Sequence, residues 1–256
     1  MERREQNLRD LLNKVAAEQG FKQYELIINE ISSGGANYNS QLFTVILREQ
    51  NKDDLHLFAK MAIYRKNMKR YRKNVFGVEH YLYTKICETF KVFEEENDLP
   101  EEYRLKLAKC YGFYDGENEE ILVLDNLFAR GYSSFNRFKS IDWEYASAAF
   151  TALARFHALS LGYSEVYPEK FKSILAEIHN DQSSLIDTDK FVRSTLKTAL
   201  KNMQPQYQKS LANYINSFLG QKVILMQPPT FRPVIAHGDF RGNNLLHRVH
   251  PVSYTI

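Results

Sequence analysis

The sequence predicts an α+β chain in two lobes, an antiparallel sheet followed by a mainly helical part. Two observations carry this expectation. Between residues 24 and 124, short apolar or alternating runs are separated by turn-forming clusters, the pattern of strands and hairpins. From Asp142 onward, apolar residues recur at helical spacing, with Pro168 and Pro205 near helix starts. The expected division is an N-terminal helix over 1–20, a sheet lobe over 21–127 and a helical lobe over 128–256.

The elements follow in order. Over 3–19, Leu8, Leu11, Leu12, Val15 and Ala16 share one helix face, and Gly20 is a natural stop. Tyr24, Leu26 and Ile28 then alternate with polar neighbours as in a half-buried strand. Strands are expected over 42–48, 55–61, 105–113 and 120–124, with Asp115-Gly116 as a hairpin signal between the last two. A helix is expected over 74–90. In the second half Asp142 is an N-cap for a core helix that Gly162 ends, and helices follow over 169–179, 187–202 and 205–220.

The stretch with the sharpest chemical meaning lies near the end, Val234-Ile235-Ala236-His237-Gly238-Asp239-Phe240-Arg241-Gly242-Asn243-Asn244-Leu245-Leu246. It holds His-x-Asp-x-x-x-x-Asn, the spacing of a kinase catalytic loop. There the Asp receives the proton of the attacking hydroxyl and the Asn holds a magnesium ion. Apolar runs on both sides are expected to be strands that pin a tight loop, so that Asp239 and Asn244 converge. The plainer reading is a polar turn between two strands.

Three further features fit the same chemistry. Residues 32–40 form a turn-rich loop between strands, with Gly34, Gly35 and Asn37. Glycine lets backbone N–H groups approach phosphates closely, although a plain hairpin explains the loop too. Lys60 closes an otherwise apolar strand, where a charge needs a partner or a ligand, unless it snorkels to water. Glu79 falls on the helix that follows and is the candidate partner. The strand Ile121–Asp125 reads as a hinge, with the Asp125 carbonyl and Leu127 N–H placed to hydrogen-bond adenine.

These residues together resemble the ecdysteroid kinase-like (CHK kinase-like) family, a relative of choline kinase and the aminoglycoside phosphotransferases. The resemblance rests on Gly35-Ala36-Asn37-Tyr38, Phe58-Ala59-Lys60, Phe76-x-x-Glu79-x-x-x-Tyr83, Val123–Leu127, Leu153–Ala158 and His237-Gly238-Asp239 through Asn244. It implies a bilobal protein-kinase-like fold and ATP-dependent phosphorylation of a small-molecule hydroxyl. Asp239 would be the catalytic residue and Asn244 a ligand of Mg2+. Lys60, Glu79, Gly34, Gly35, Asn37, Asp125 and Leu127 would hold ATP. Twelve residues follow Asn244 and none is Asp or Glu, whereas a kinase places a second metal-binding Asp beyond this loop. The helical lobe is therefore expected to be incomplete and transfer by this chain impaired. The alternative is a non-catalytic nucleotide-binding or interaction protein derived from a kinase.

Composition bounds the remaining classes. The chain has 256 residues, 44% hydrophobic and 25% charged, ordinary values for a globular protein. A net charge of +3 gives no general pull toward nucleic acid. The basic run 65–73 holds six basic residues in nine, but it lacks interleaved aromatics beyond Tyr71, and Glu94-Glu95-Glu96 offsets it. No stretch is apolar enough to span a membrane. Cys87 and Cys110 are too few for a disulfide framework, and a cytoplasmic protein is expected. The oligomeric state is not legible.

Overall fold

The structure, a computed structural model, describes residues 2–32, 40–63, 76–116, 119–136, 138–182, 188–218, 232–250 and 253–255. Helix α1 (Glu2–Glu18) is followed by strands β1 (Tyr24–Ile31), β2 (Ser40–Glu49) and β3 (Leu55–Ala62). Residues 76–96 form helix α2, which contains a π-helical turn at Leu82–Ile86. Strands β4 (Cys110–Tyr114) and β5 (Ile121–Asp125) complete an antiparallel five-stranded sheet of order β1-β2-β3-β5-β4.

One face of this sheet is apolar because every second residue is. Val45, Leu47, Leu57, Ala59, Met61, Ile121 and Val123 are buried against Leu8, Leu11, Leu12, Val15 and Ala16 of α1. The alternation then places Phe58 and Lys60 on the opposite face. The β3–β5–β4 register sets Lys60 opposite Leu122, and Leu122 opposite Phe113.

A second cluster is helical. Helix α3 (Trp143–Val166) starts at Asp142, whose carboxylate accepts from the Tyr145 N–H at 2.8 Å. Phe156, Leu159 and Tyr163 of α3 pack with Ile86, Phe90 and Phe93 of α2, with Phe171 and Ile174 of α4 (Pro168–Gln182), and with Ile235. Helices α5 (Thr188–Asn202) and α6 (Pro205–Phe218) follow. A short strand β6 (Ser133–Ser134) pairs with β7 (Leu246–His250), and β7 with β8 (Ser253–Thr255).

Several expectations need correction. Gly162 does not end α3. It lies inside the helix, and a Cβ there would meet the Phe93 ring at 3.3 Å, so the glycine serves close packing against α2. The helix is not buried all round either, since Trp143 and Phe150 are 78% and 66% exposed. Helix α2 runs six residues beyond the expected 74–90, to Glu96. Strand β4 starts at Cys110, five residues late, and the β4–β5 connection is longer than a tight Asp115-Gly116 hairpin. Among the described residues no helix is long and apolar enough to cross a membrane.

Candidate active site

Helix α2 and strand β3 meet through one ion pair. Lys60 Nζ lies 2.5 and 2.8 Å from the two carboxylate oxygens of Glu79, and each side chain is 25% exposed. The Phe76 ring, on the same helix, lies 5.9 Å from Nζ. One turn further, His80 stacks on Phe113 of β4 at 3.9 Å and 9°. The Phe76 ring on one side and the Glu79 carboxylate on the other hold the lysine amine, which stays partly open to solvent.

The loop 237–245 is built differently from the expectation. No strand enters it, because residues 232–237 lie outside any sheet. The approach is pinned to α3 instead: the Ile235 N–H donates to Ser160 Oγ at 2.8 Å, and Ser160 is fully buried. Gly238 adopts φ +77°, a region that costs a side-chain-bearing residue. This turns the chain back so that the Asp239 N–H meets His237 Nδ1 at 3.2 Å. A 3-10 turn at Gly242–Asn244 then brings Asn244 onto Asp239, where Nδ2 donates to the Asp239 carbonyl at 2.9 Å and to Oδ2 at 2.8 Å. Arg241 Nε sits 3.1 Å from the same carboxylate. Phe240 packs on His237 at 5.8 Å and toward Phe150 of α3 at 6.3 Å.

Behind the loop, the β6–β7 pairing places Ser133 beside His247. The rings of Phe135, Tyr145 and His247 meet at 4.4 to 6.2 Å. Burial lowers the His247 pKa, so the ring is held neutral near pH 7; the charge of Asp142 opposes this in part. The hinge segment has its own clamp. Asp125, 9% exposed, receives Arg130 Nε at 2.8 Å, and its N–H donates to the Lys109 carbonyl. Asn126 caps the 3-10 turn Leu127–Arg130 by accepting from the Phe128 N–H.

The structure thus brings Lys60 to Glu79, and Asp239 to Asn244. It sets Asp125 and Leu127 at the end of β5 and the start of the following turn. Gly34, Gly35 and Asn37 lie outside the described residues, as does the basic run 65–73. Sequence reasoning gave no role to Arg241, although a cation two residues after Asp239 was a visible signal. It also missed Ser160 and Arg130. The Ser160–Ile235 bond joins residues 75 apart and leaves no trace in local pattern.

A family model for the ecdysteroid kinase-like family matches residues 34–254. The chain belongs to the ecdysteroid kinase-like family. No curated protein and no solved structure matches it. Membership makes this a kinase-type chain, and the antiparallel sheet with its following helices is compatible with a kinase-like fold. Within the ecdysteroid kinase-like match lie all the site residues described above, while α1 and β1 precede it.

Proposed function

We propose that this ecdysteroid kinase-like chain transfers the terminal phosphoryl group of ATP to a hydroxyl group of a small molecule. The observation that carries the reading is the Lys60–Glu79 pair on the sheet face opposite α1. A strand lysine fixed by a helix carboxylate is the arrangement that grips nucleotide phosphates in kinases. In this reading Lys60 binds the phosphates and Glu79 orients its amine. Asp125 and Leu127 present backbone groups to the base, and the sheet and the helices form the two lobes between which ATP lies.

Asp239 orients the acceptor hydroxyl and takes its proton as the oxygen attacks phosphorus; ADP leaves. Arg241 balances the Asp239 charge in the resting site. Asn244 would hold magnesium, which takes hard oxygen ligands, few of them from protein, and keeps several waters; among the described residues no cluster of three or more carboxylate, imidazole or thiol side chains forms a fuller site. Asn244 spends its Nδ2 on Asp239, so the amide oxygen is the atom that would take the ion. When bound, the ion would neutralise charge building on the transferring group. Most of the rate then comes from placing and stabilising charge.

The test measures phosphate transfer from ATP to a panel of small alcohols, beside nucleotide binding, for the protein and for Lys60→Met. Transfer to at least one alcohol, lost in Lys60→Met together with tight ATP binding, supports the reading. Nucleotide binding that is identical in Lys60→Met overturns it. Saturable binding sensitive to Lys60 but without transfer to any alcohol favours a non-catalytic nucleotide-binding protein instead.

A further inference from the structure

The helix that carries Glu79 serves two partners, and a π-helical turn lies along it between Glu79 and Phe90. Phe76, Glu79 and His80 face the sheet, through Lys60 and Phe113. Ile86, Phe90 and Phe93 face α3 and α4. Yet residues 76, 79, 83, 86, 90 and 93 recur at three- and four-residue spacing, which in an α-helix is a single stripe. The two sets diverge because of the π-helical turn Leu82–Ile86, closed by a bond from the Cys87 N–H to the Leu82 carbonyl. One residue more per turn rotates everything beyond it by about 100°.

Thr84, exposed on the outer side of the turn, donates its hydroxyl to the His80 carbonyl at 2.8 Å. Thr84 touches neither Lys60 nor Glu79. We infer that Thr84 is a positioning residue: by holding the π turn, it fixes the rotation of the 76–81 segment that aims Glu79 at Lys60. If the turn relaxed to α geometry while Phe90 and Phe93 stayed packed, Glu79 would swing away from the strand. The inference concerns the observed ion pair, and rests on the reading above only for its consequence, a weaker grip on ATP phosphates.

The test reads the Lys60 amine directly, without nucleotide, so that its outcome stays separate from that of the kinase reading. The rate at which an amine-acylating ester modifies Lys60 is followed by peptide mass spectrometry, with exposed Lys91 of the same helix as internal control. Glu79→Gln sets the rate for a released amine. Thr84→Val, which keeps the shape and removes the hydroxyl, is expected to raise Lys60 labelling about threefold or more toward that limit. Thr84→Ser is expected to restore the native rate, and Lys91 to stay unchanged throughout. Deleting Thr84, which removes the extra residue, is expected to reach the Glu79→Gln rate. If that variant is unfolded by circular dichroism, the valine and serine variants decide alone. Native labelling of Lys60 in Thr84→Val overturns the proposal, and so does an equal rise at Lys60 and Lys91, which would mean general loosening.

Discussion

Asn244 and Asp239 are joined twice, once through the Asp239 carbonyl and once through its carboxylate. The second bond makes the amide of one residue the support of the carboxylate of the other. Asp239 is thereby held in one direction before any ligand arrives, and Arg241 holds it from the side. The catalytic-type spacing is an actual contact in the fold.

Replacing Asp239 by Asn removes a proton acceptor and keeps the shape. In a phosphoryl-transfer assay this change is expected to lower turnover about a hundredfold or more, the usual worth of a general base, with ATP affinity nearly unchanged. Parallel loss of binding and turnover, measured by calorimetry and product formation, would give Asp239 a different role.

Gly238 separates strain from crowding. Among the described residues other than its two chain neighbours, no atom lies within 4 Å of a Cβ built there, so the cost of a side chain is that of its backbone conformation. Gly238→Ala is expected to destabilise by about 1–2 kcal/mol, and Gly238→Asn by less, because Asn tolerates the left-handed region. Chemical denaturation of both variants gives the comparison; equal costs would refute it.

Ser160→Ala leaves the Ile235 N–H buried beside a methyl group. An unsatisfied buried donor costs about 1–3 kcal/mol. Besides that loss of stability, amide exchange at residues 235–239 is expected to quicken while the amides of β2 and β3 keep their protection. Unchanged exchange in the loop would show that its position is fixed elsewhere.

Two histidines make the fold sensitive to acid. Burial lowers the pKa of both His80 and His247 from the ordinary 6.5. Asp115 beside the first and Asp142 beside the second pull the other way without cancelling the effect. The unfolded chain therefore takes up protons first as pH falls. Stability is full above about 6.5 and is lost as pH drops through the lower folded values. Denaturation midpoints between pH 7.5 and pH 5 are expected to fall less steeply in His247→Phe and His80→Phe than in the native chain. An unaltered slope in both would refute the assignment.

What was legible in the sequence follows from what is local. Lys60 stood out as the charge closing an otherwise apolar strand. Glu79 could be paired with it because one helix follows one strand. Asp239 and Asn244 sat five apart in a short loop. The limits were equally physical. The end of α3 was misplaced because Gly162 was read as a stop, when the ring of Phe93 makes it a packing glycine. A strand was expected before His237 because Val234-Ile235-Ala236 is apolar; the segment instead answers to a hydroxyl on a distant helix. The π turn was hidden because the apolar spacing of α2 is that of an ordinary helix.

Helix α2 also has a consequence for how the molecule comes apart. Its first turns are bound to the sheet, and its last turns are part of the helical cluster. Melting either cluster strips one end of the same helix, and that withdraws support from the other. The two apolar clusters are therefore not separate cooperative units, although among the described residues they share no buried side chain. The last-opening amides should belong to β2, β3 and the core of α2 together, and heat should dissolve sheet and helices in a single transition.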